Sequence, residues 1–367
     1  MKKHILAATA IGVSTSTAFA AGVERSNQSV GVLFEEGRYL EFGLTGGDPK
    51  VSGTLGPFQS GNMTESFLNF GGAFKDDIND TWSYAIIYAQ PWGADVNYPL
   101  VSYPFAGSTA DLKSHTLTGL VQYNLPTNFS LYGGLRVQSL EADASVNALL
   151  PPPLESFSGY EVEGDRDVAL GYVVGAAYER PDIALRISLT YNSAIDHELD
   201  TREALATPVS FSGLESTTEI TTPQSLHLEF QTGIAQDTLL FGGARWVEWS
   251  EFNIAPAFYT GTLVGAPLVS YEDDRITWTL GLGRRLNENW SIAGKLDYER
   301  STGSLTGNLG PTDGILGATV GATYTTGNTE VTAGVSYFDI GDATTTAGAE
   351  FADNSAIGFG LRVGYSF

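Results

Sequence analysis

The chain has 367 residues, of which 43 are glycine, none is cysteine and 17% are charged, with a formal net charge of −23. The lack of cysteine excludes disulfides, cysteine-ligated zinc and thiol catalysis, and the acidic balance excludes the clustered Lys and Arg that nucleic-acid binding requires. Because 42% of the residues are hydrophobic, the chain is also too apolar for an acidic disordered protein, and its glycine content favours an all-β fold.

The N-terminus has the pattern of an export signal, which we assign to residues 1–20. Lys2 and Lys3 precede an apolar stretch of small residues, and Ala18-Phe19-Ala20 fits the A-x-A cleavage rule, so the mature chain is expected to begin at Ala21. That stretch is shorter than the roughly 20 residues that span a bilayer, and no later segment reaches the length of about 18 consecutive apolar residues. The sequence therefore predicts either a secreted β-protein or an outer-membrane barrel.

Runs of alternating apolar and polar residues recur throughout residues 37–367. A period of two places successive side chains on opposite faces of a strand. The last run, which starts at residue 352, places Ile357, Phe359, Leu361, Val363, Tyr365 and Phe367 on one face. With it we count fourteen strands, of which the others begin near Tyr39, Phe67, Trp82, Thr116, Phe129, Val168, Ile183, Ser225, Leu239, Ile276, Trp290, Ile315 and Val331. An even count is typical of bacterial outer-membrane barrels.

Short and long connections alternate along the chain. The short ones are residues 75–80, 125–128, 180–182, 234–237, 287–289 and 326–328, and the long ones are residues 47–63, 91–109, 141–165, 196–222, 250–272, 301–311 and 340–352. Short periplasmic turns opposite long extracellular loops are typical of outer-membrane barrels, whereas a soluble sandwich has no reason to collect its long loops at one end. Outer-face aromatics near both ends of the strands predict two interfacial belts. We therefore predict an all-β, fourteen-stranded barrel in the Gram-negative outer membrane, surrounded by outer-membrane lipid and lipopolysaccharide.

Four stretches of the sequence resemble one family of such barrels. They are residues 165–178, residues 189–197, Thr222-Pro-Gln-Ser225, and Gly242-Gly-Ala-Arg-Trp-Val-Glu-Trp-Ser-Glu-Phe252. On these stretches the sequence resembles the outer-membrane long-chain fatty-acid and hydrocarbon transporters of the FadL/TodX type. The resemblance implies a fourteen-stranded barrel through which hydrophobic molecules, with long-chain fatty acids as the expected substrate, cross the lipopolysaccharide layer by passive diffusion. It also implies an N-terminal hatch and a kink in the third strand that opens a lateral exit.

Two regions decide how far the family pattern applies. In the third strand, Pro91 removes a hydrogen-bond donor and Gly93 weakens pairing, which predicts a kink; the alternative is that Pro91 simply ends the strand at the second loop. At the N-terminus, residues 21–36 are too short for a full hatch and lack the family's Asn-Pro-Ala motif. We predict that they form a short plug, followed by the barrel at residues 37–367.

The inner face of the barrel carries charged residues, since a charge that faced lipid at mid-membrane would cost about 2–4 kcal/mol. Alternation places Arg136, Arg186, Arg285 and Lys295 on this face, and Arg245 joins them if charge decides the ambiguous face of the ninth strand. The family resemblance makes these five residues candidates for binding a fatty-acid carboxylate. The alternative is an Arg–Glu network that rigidifies the barrel. Apolar inner-face candidates for contact with the acyl tail are Phe67, Ile87, Leu120, Val173, Ile315 and Phe338.

Other functions fit the sequence less well. A general diffusion porin for small polar solutes is the alternative function, because an acidic lumen with basic groups also suits ions. Catalysis is not expected, because His197 and His227 are not placed with a nucleophile in a membrane-facing site. We predict no cofactor, no metal, a monomer, and recognition of the C-terminal Phe367 by the barrel-assembly machinery.

Overall fold

The computed structural model describes residues 22–149, 157–208 and 210–367. The predicted signal peptide, Ala21 and the proline-rich residues 151–153 of the third long connection lie outside the described residues. Among the described residues, no helix is long and apolar enough to cross a membrane.

The described residues form one antiparallel barrel of fourteen strands, three of which are interrupted once, so that seventeen segments make up the sheet. The strands are β1 (Tyr39–Lys50), β2 (Phe67–Asp77), β3 (Trp82–Ala89 and Gly93–Asn97), β4 (Thr109–Asn124), β5 (Phe129–Ala148), β6 (Phe157–Arg180), β7 (Leu185–Asn192 and Ile195–Thr207), β8 (Phe211–Thr222 and Ser225–Ala235), β9 (Thr238–Val247), β10 (Arg275–Arg285), β11 (Trp290–Glu299), β12 (Ile315–Thr326), β13 (Thr329–Ile340) and β14 (Asn354–Ser366).

The barrel closes by pairing of its first and last strands. β1 pairs with β14 over its whole length, from Tyr39 opposite Ser366 to Lys50 opposite Ser355. Closure leaves neither the first nor the last strand as a sheet edge, which is the condition for a β-sheet to sit in hydrocarbon. Along β14, Phe359 and Leu361 face outward and are exposed, while Arg362 faces inward and is buried. The predicted fourteen-stranded barrel is therefore confirmed.

Two of the predicted long loops are mostly β-structure, and their prediction as loops is wrong. Residues 141–165 and 196–222 largely extend strands β5 to β8 at the end of the barrel that carries the long connections, which we call the loop end. Many of their outward side chains are charged or polar, as at Glu161, Glu163 and Glu198. Alternation with an apolar outer face does not identify these extensions, because strand pairing above the lipid depends on backbone hydrogen bonds and needs no apolar face.

Short elements cover the loop end. Two small sheets consist of Gly53–Leu55, Phe58–Gln59, Ala343–Thr344 and Glu350–Phe351, and of Asn253–Ile254 with Val269–Ser270. Two 3-10 helices lie elsewhere, Gly31–Phe34 before β1 and Pro181–Ile183 between β6 and β7. At the loop end are the 3-10 helix Trp249–Glu251 and the π-helix Tyr259–Leu263. Buried side chains beneath these elements form an apolar cluster that includes Tyr98, Tyr103, Phe105, Tyr160, Phe338 and Phe351. The opposite end, which we call the turn end, has only tight connections.

A buried carboxylate holds the connection between β11 and β12 in place. Asp313 Oδ1 lies 2.6 Å from Arg275 Nη1, and the N–H groups of Thr302 and Gly303 donate to Asp313 Oδ2 at 2.9 and 2.7 Å. Burial raises the pKa of Asp313, but the two N–H groups and the Arg275 guanidinium outweigh it, so the pKa lies below its ordinary value. The carboxylate therefore stabilises the connection above the ordinary aspartate pKa, and this contribution is lost as the pH falls through the lowered value.

We expect Asp313→Asn to loosen this connection, because charge-assisted hydrogen bonds contribute about 1.5–3 kcal/mol. Trypsin should cleave after Arg300 about tenfold faster in the variant at neutral pH. The control is Asp339→Asn, which removes an exposed carboxylate at the end of β13 and should leave the rate unchanged. Equal cleavage rates in the Asp313 variant and the wild type would contradict the anchoring role.

Candidate functional site

The N-terminal segment, residues 22–36, lies inside the turn-end half of the barrel. Its apolar side chains Val30, Val32 and Leu33 are buried. They pack against inward side chains from the wall: Tyr39, Ala73, Ala85, Leu120, Tyr132, Val173 and Ala177. Several of these wall residues are small, and they leave room for the segment within the lumen.

A buried ion pair attaches the beginning of this segment, at Glu24, to the barrel wall. Arg245 Nη2 and Nε donate to Glu24 Oε1 at 2.6 and 3.0 Å, and the two side chains are only 6% and 2% exposed. Arg245 Nη1 also donates to Ser225 Oγ at 3.1 Å. Because each charge has lost its water, removal of one partner would leave the other buried and unpaired.

Two further basic residues contact the same segment. Arg136 is buried and donates to Thr118 Oγ1 at 2.9 Å and to Gln28 Oε1. The Arg186 guanidinium lies 4.5 Å from the centroid of the Phe34 ring. Three of the five predicted carboxylate-binding residues, Arg136, Arg186 and Arg245, therefore hold the N-terminal segment in this structure.

The other two predicted basic residues lie elsewhere. Arg285 is at the turn-end rim, 43% exposed, where its Nε donates to Asp237 Oδ1 at 2.8 Å. Alternation predicts which face of its strand Arg285 lies on. It carries no information on height, so it could not show that Arg285 lies at the rim and not inside the lumen. Lys295 is buried inside the barrel and its Nζ lies 2.7 Å from Asp297 Oδ2. The five basic residues thus do not converge on one site.

The wall of the barrel is interrupted in β3. Residues 90–92 separate its two segments, and the second segment, Gly93–Asn97, pairs with β4, so the alternative that Pro91 ends the strand is wrong. The ladder between β2 and β3 covers only residues 72–77 of β2. Within the described chain, residues 68–71 of β2 pair with β1 and have no ladder partner on β3. We call this break between β2 and β3 the side gap; Thr64 pairs with Val96 on its loop-end side.

The N-terminal segment pairs with the interrupted strand. The N–H of Arg25 donates to the carbonyl of Pro91 at 2.7 Å, and the N–H of Gly93 donates to the carbonyl of Val23 at 2.8 Å. Glu24 and Trp92 form the bridge pair between these two bonds. The segment thus satisfies backbone groups that β2 does not reach, as buried backbone requires.

Two cavities lie on either side of the segment. The apolar pocket, of about 50 Å³, is towards the loop end, and its lining includes Val23, Leu112, Leu199, Ile220, Ile254 and Tyr271. The gap cavity, of about 140 Å³, adjoins the side gap, and its lining includes Gln28, Ile87, Gln90, Thr118, Arg136 and Arg362. Burial raises the pKa of the Tyr271 hydroxyl above its ordinary range, so the phenol beside the apolar pocket is neutral.

The predicted apolar residues have different surroundings. Ile87 lines the gap cavity, Leu120 and Val173 pack with the N-terminal segment, and Ile315 and Phe338 belong to the loop-end cluster. Phe67 lies under the Arg25 guanidinium at the side gap.

The alternation did not identify the aromatic residues that pack with the lining of the apolar pocket. Trp92 and Trp249 are buried edge to face with their centroids 5.5 Å apart, and Phe252 packs beside Trp249. Trp249 and Phe252 belong to a stretch that carried the family resemblance, which was the available signal for their position.

The sequence matches one family model. It is described as outer membrane protein transport protein (OMPP1/FadL/TodX), and it matches residues 45–367. The match covers nearly all of the barrel and begins after the N-terminal segment. No curated protein sequence matches the chain.

Solved structures share the fold at low sequence identity. A FadL homologue of Pseudomonas aeruginosa has 16% identity and a TM-score of 0.74, with 92% of each chain covered. The toluene transporter TodX of Pseudomonas putida has 12% identity and a TM-score of 0.67, with 95% of each chain covered. The toluene transporter TbuX of Ralstonia pickettii has 14% identity and a TM-score of 0.64, with 91% of this chain and 90% of that chain covered.

We expect Glu24→Gln to detach the N-terminal segment, because breaking a buried ion pair by removing one partner costs about 3–5 kcal/mol. Hydrogen exchange at the amides of Arg25 and Gly93, which both bond across the β3 interruption, should accelerate at least about tenfold. The double variant Glu24→Met/Arg245→Met removes both charges and should exchange at close to the wild-type rate. If Glu24→Gln leaves exchange unchanged, the ion pair does not hold the segment.

Proposed function

We propose a route for the substrate from one premise: the chain belongs to the outer membrane protein transport protein family (OMPP1/FadL/TodX) and is an outer-membrane transporter of hydrophobic compounds. The substrate enters the apolar pocket at the loop end, which faces the cell exterior. It passes the N-terminal segment, reaches the gap cavity, and leaves through the side gap into the membrane. No energy source is involved, and the substrate moves by passive diffusion. Long-chain fatty acids are the substrate that we favour.

The observation that carries this proposal is the environment of Arg136. Its side chain is buried and lines the gap cavity, and no ion pair among the described residues includes it. Its partners there are the neutral groups of Gln28 and Thr118. A buried cation without a counter-charge is unfavourable, and a fatty-acid carboxylate in the gap cavity would supply that charge with a bidentate geometry.

The apolar pocket suits the other end of such a molecule. Its lining is mostly aliphatic, with Leu112, Leu199 and Ile220 from the wall and Ile254 and Leu268 from the loop-end cover. An acyl tail gains roughly 0.8 kcal/mol for each methylene transferred from water to such surroundings. A hydrophobic tail and a buried cation on the two sides of the N-terminal segment together favour an amphipathic substrate.

Exit through the wall agrees with the chemistry of the substrate. A hydrophobic molecule that left the turn end would enter water, whereas one that left through the side gap would stay in an apolar phase. The outward residues beside the gap, Leu68, Phe70 and Tyr88, are exposed at the outer surface of the barrel. These positions suit contact with lipid.

Uncharged hydrocarbons are a second candidate substrate, because no basic residue lines the apolar pocket among the described residues. Two of the similar solved structures are toluene transporters. The two substrate classes differ in one respect that can be tested. A carboxylate would depend on Arg136, and toluene would not.

We expect Arg136→Gln to weaken oleate binding to the purified barrel in nanodiscs about tenfold or more, since a charge-assisted hydrogen bond contributes about 1.5–3 kcal/mol. Toluene binding should not change. Arg180→Gln, which alters an exposed arginine paired with Asp182 at the turn end, is the matched control. If oleate binds equally to all three proteins, Arg136 is not the carboxylate site. If the wild type binds toluene but not oleate, the hydrocarbon alternative is the better proposal.

The porin alternative makes a different prediction for ion flow. Because the N-terminal segment packs into the turn-end half of the lumen, we expect planar bilayers with the wild-type protein to show little steady conductance. Oleate or toluene binding should be present in the same preparation. A large, constant conductance that scales with salt, without binding of either compound, would instead support a general diffusion porin.

A further inference from the structure

We propose that the β6–β7 split, formed by residues 165–172 of β6 and 193–200 of β7, admits uncharged lipophilic molecules from the outer leaflet into the apolar pocket. The inference rests on the proposed function for the role of that pocket in transport. It adds an entrance through the wall to the entrance at the loop end, and it assigns a substrate class to the added entrance.

The ladder between β6 and β7 stops and then resumes. It stops where Val173 is opposite Asn192, and it resumes where Gly164 is opposite Thr201. Among the described residues, the residues of the two strands in between form no ladder pairs with each other. Because both ladders have the same register, the strands separate over this stretch without a shift of one past the other.

The two strands separate because their faces are out of phase along the split. On β7, Asn192 and Ile195 are both buried although they are three positions apart, so the inward face changes at residues 193–194. On β6 the same change occurs at residues 165–166, which together oppose one residue of β5. Between these points Leu170 is 69% exposed, whereas Ile195, which the register would place opposite it, is 3% exposed. A one-residue change of phase turns side chains to the opposite face, so the facing strands do not form a ladder.

Apolar side chains of β7 fill the split. A Cβ atom at Gly171 would lie 2.6 Å from Ile195 Cγ1, and one at Gly164 would lie 2.9 Å from Leu199 Cδ2. The two glycines therefore leave room for Ile195 and Leu199 to pack against the backbone of β6. Apolar contacts are not directional, so these side chains can move aside without breaking a backbone hydrogen bond.

His197 crosses the wall within the split. Its side chain is fully buried; Nδ1 lies 2.8 Å from Asp167 Oδ2, and Nε2 lies 3.0 Å from Gln138 Oε1. Asp167 is partly exposed, whereas Gln138 of β5 is buried. The imidazole thus links the outer side of β6 to the inner side of the wall. At the turn-end limit of the split, the Ser193 N–H donates to the Tyr172 carbonyl at 3.0 Å.

The split separates the apolar pocket from the outer surface by a layer of side chains. Gly164 and Leu199 line the apolar pocket on the inner side. On the outer side, Val168, Leu170 and Tyr172 of β6 are exposed, and exposed apolar side chains on a barrel strand suit contact with lipid. A lipophile that passed between the strands would reach the pocket without entering water, which the hydrophobic effect favours.

The charges at the split favour an uncharged molecule. Asp196 and Glu198 of β7 are exposed on its outer side, and Asp167 of β6 is partly exposed. Arg166 does not offset these acids, because its Nη2 lies 2.8 Å from Glu141 Oε2. The carboxylates would repel a fatty-acid carboxylate, whereas an uncharged hydrocarbon would be unaffected.

A removable cross-link tests the inference directly. Because Ile195 Cγ1 is bonded to its own Cβ and lies 2.6 Å from the Cβ position of Gly171, the Cβ atoms of a cysteine pair there would be about 3–4 Å apart, which suits a disulfide. The chain has no cysteine, so Gly171→Cys/Ile195→Cys introduces the only possible disulfide. The oxidised and reduced forms of the same protein are each other's control.

We expect the oxidised form to take up radiolabelled toluene into host cells at least about fivefold more slowly than the reduced form, and oleate at the same rate, because the acids at the split already exclude a carboxylate. An equal toluene rate in both forms, with an active wild type, would overturn the inference and leave the proposed function intact. An equal loss of toluene and oleate uptake would also overturn it, since the cross-link would then block the pocket as a whole. Wild-type uptake of oleate without toluene would do the same.

If the wild type takes up neither compound, the proposed function fails, and thiol labelling decides the inference. Leu199→Cys places a single thiol at the inner side of the split. In nanodiscs, uncharged N-hexylmaleimide should label it at least about tenfold faster than the anionic maleimidohexanoate, because an unpaired charge is unfavourable in an apolar passage. The control is Ala349→Cys, which is equally buried but belongs to the loop-end cluster, and there the preference should largely disappear. The same preference at both positions, or equal rates at Leu199→Cys, would overturn the inference.

Widening the split should have the opposite effect from the cross-link. Ile195→Ala removes the atoms that pack on Gly171 and leaves a cavity, so toluene uptake should rise about threefold. The control is Ile340→Ala, since Ile340 is a buried isoleucine of the loop-end cluster and its truncation leaves the split filled. Equal toluene uptake by both variants and the wild type would show that Ile195 does not close the split.

Discussion

Backbone N–H and C=O groups inside a bilayer must be paired within the protein, and the rest of this structure depends on that requirement. Thirteen consecutive strand pairs and the β1–β14 closure meet it around most of the wall. The interruption of β3 does not, because, among the described residues, residues 68–71 of β2 have no ladder partner there. The N-terminal segment supplies partners for Pro91 and Gly93. The segment thus stabilises a break that would otherwise leave these backbone groups unpaired.

Charge imposes the second constraint on the lumen. Inward basic residues need counter-charges, and the chain provides them in two ways: acids on the wall, either on the same strand as for Lys295 or on a neighbouring strand as for Arg362, and Glu24 of the N-terminal segment for Arg245. Arg136 is the exception among the buried basic residues that face the cavities. The same side chain is bonded to the segment and lines the gap cavity. A ligand that neutralises Arg136 would therefore compete with Gln28, and its binding would favour release of the segment.

The sequence predicted the barrel well because alternation reports directly on a wall with lipid on one side. It predicted the extent of the strands poorly above the lipid. There the outward residues, such as Glu161 and Glu198, face water, so they are polar and the alternation of apolar and polar residues disappears. It placed Arg136, Arg186 and Arg245 on the inner face, but parity carries no information on height or on distant partners. Arg285 has the correct parity and lies at the rim. The contacts of Arg25 could not be predicted, because they join residues about 70 positions apart through a break that has no periodic signal.

The closure of the barrel has a consequence for the order of folding. Glu41 and Arg362 are bonded across the β1–β14 seam although they are 321 residues apart in the chain. Almost every other strand pairs with its neighbour in sequence, and local pairings form with a much smaller loss of chain entropy. The seam therefore closes last. Until then the N-terminal segment is connected to the barrel only through its covalent link to β1. It can therefore move to its position beside β3 before the barrel closes around the lumen.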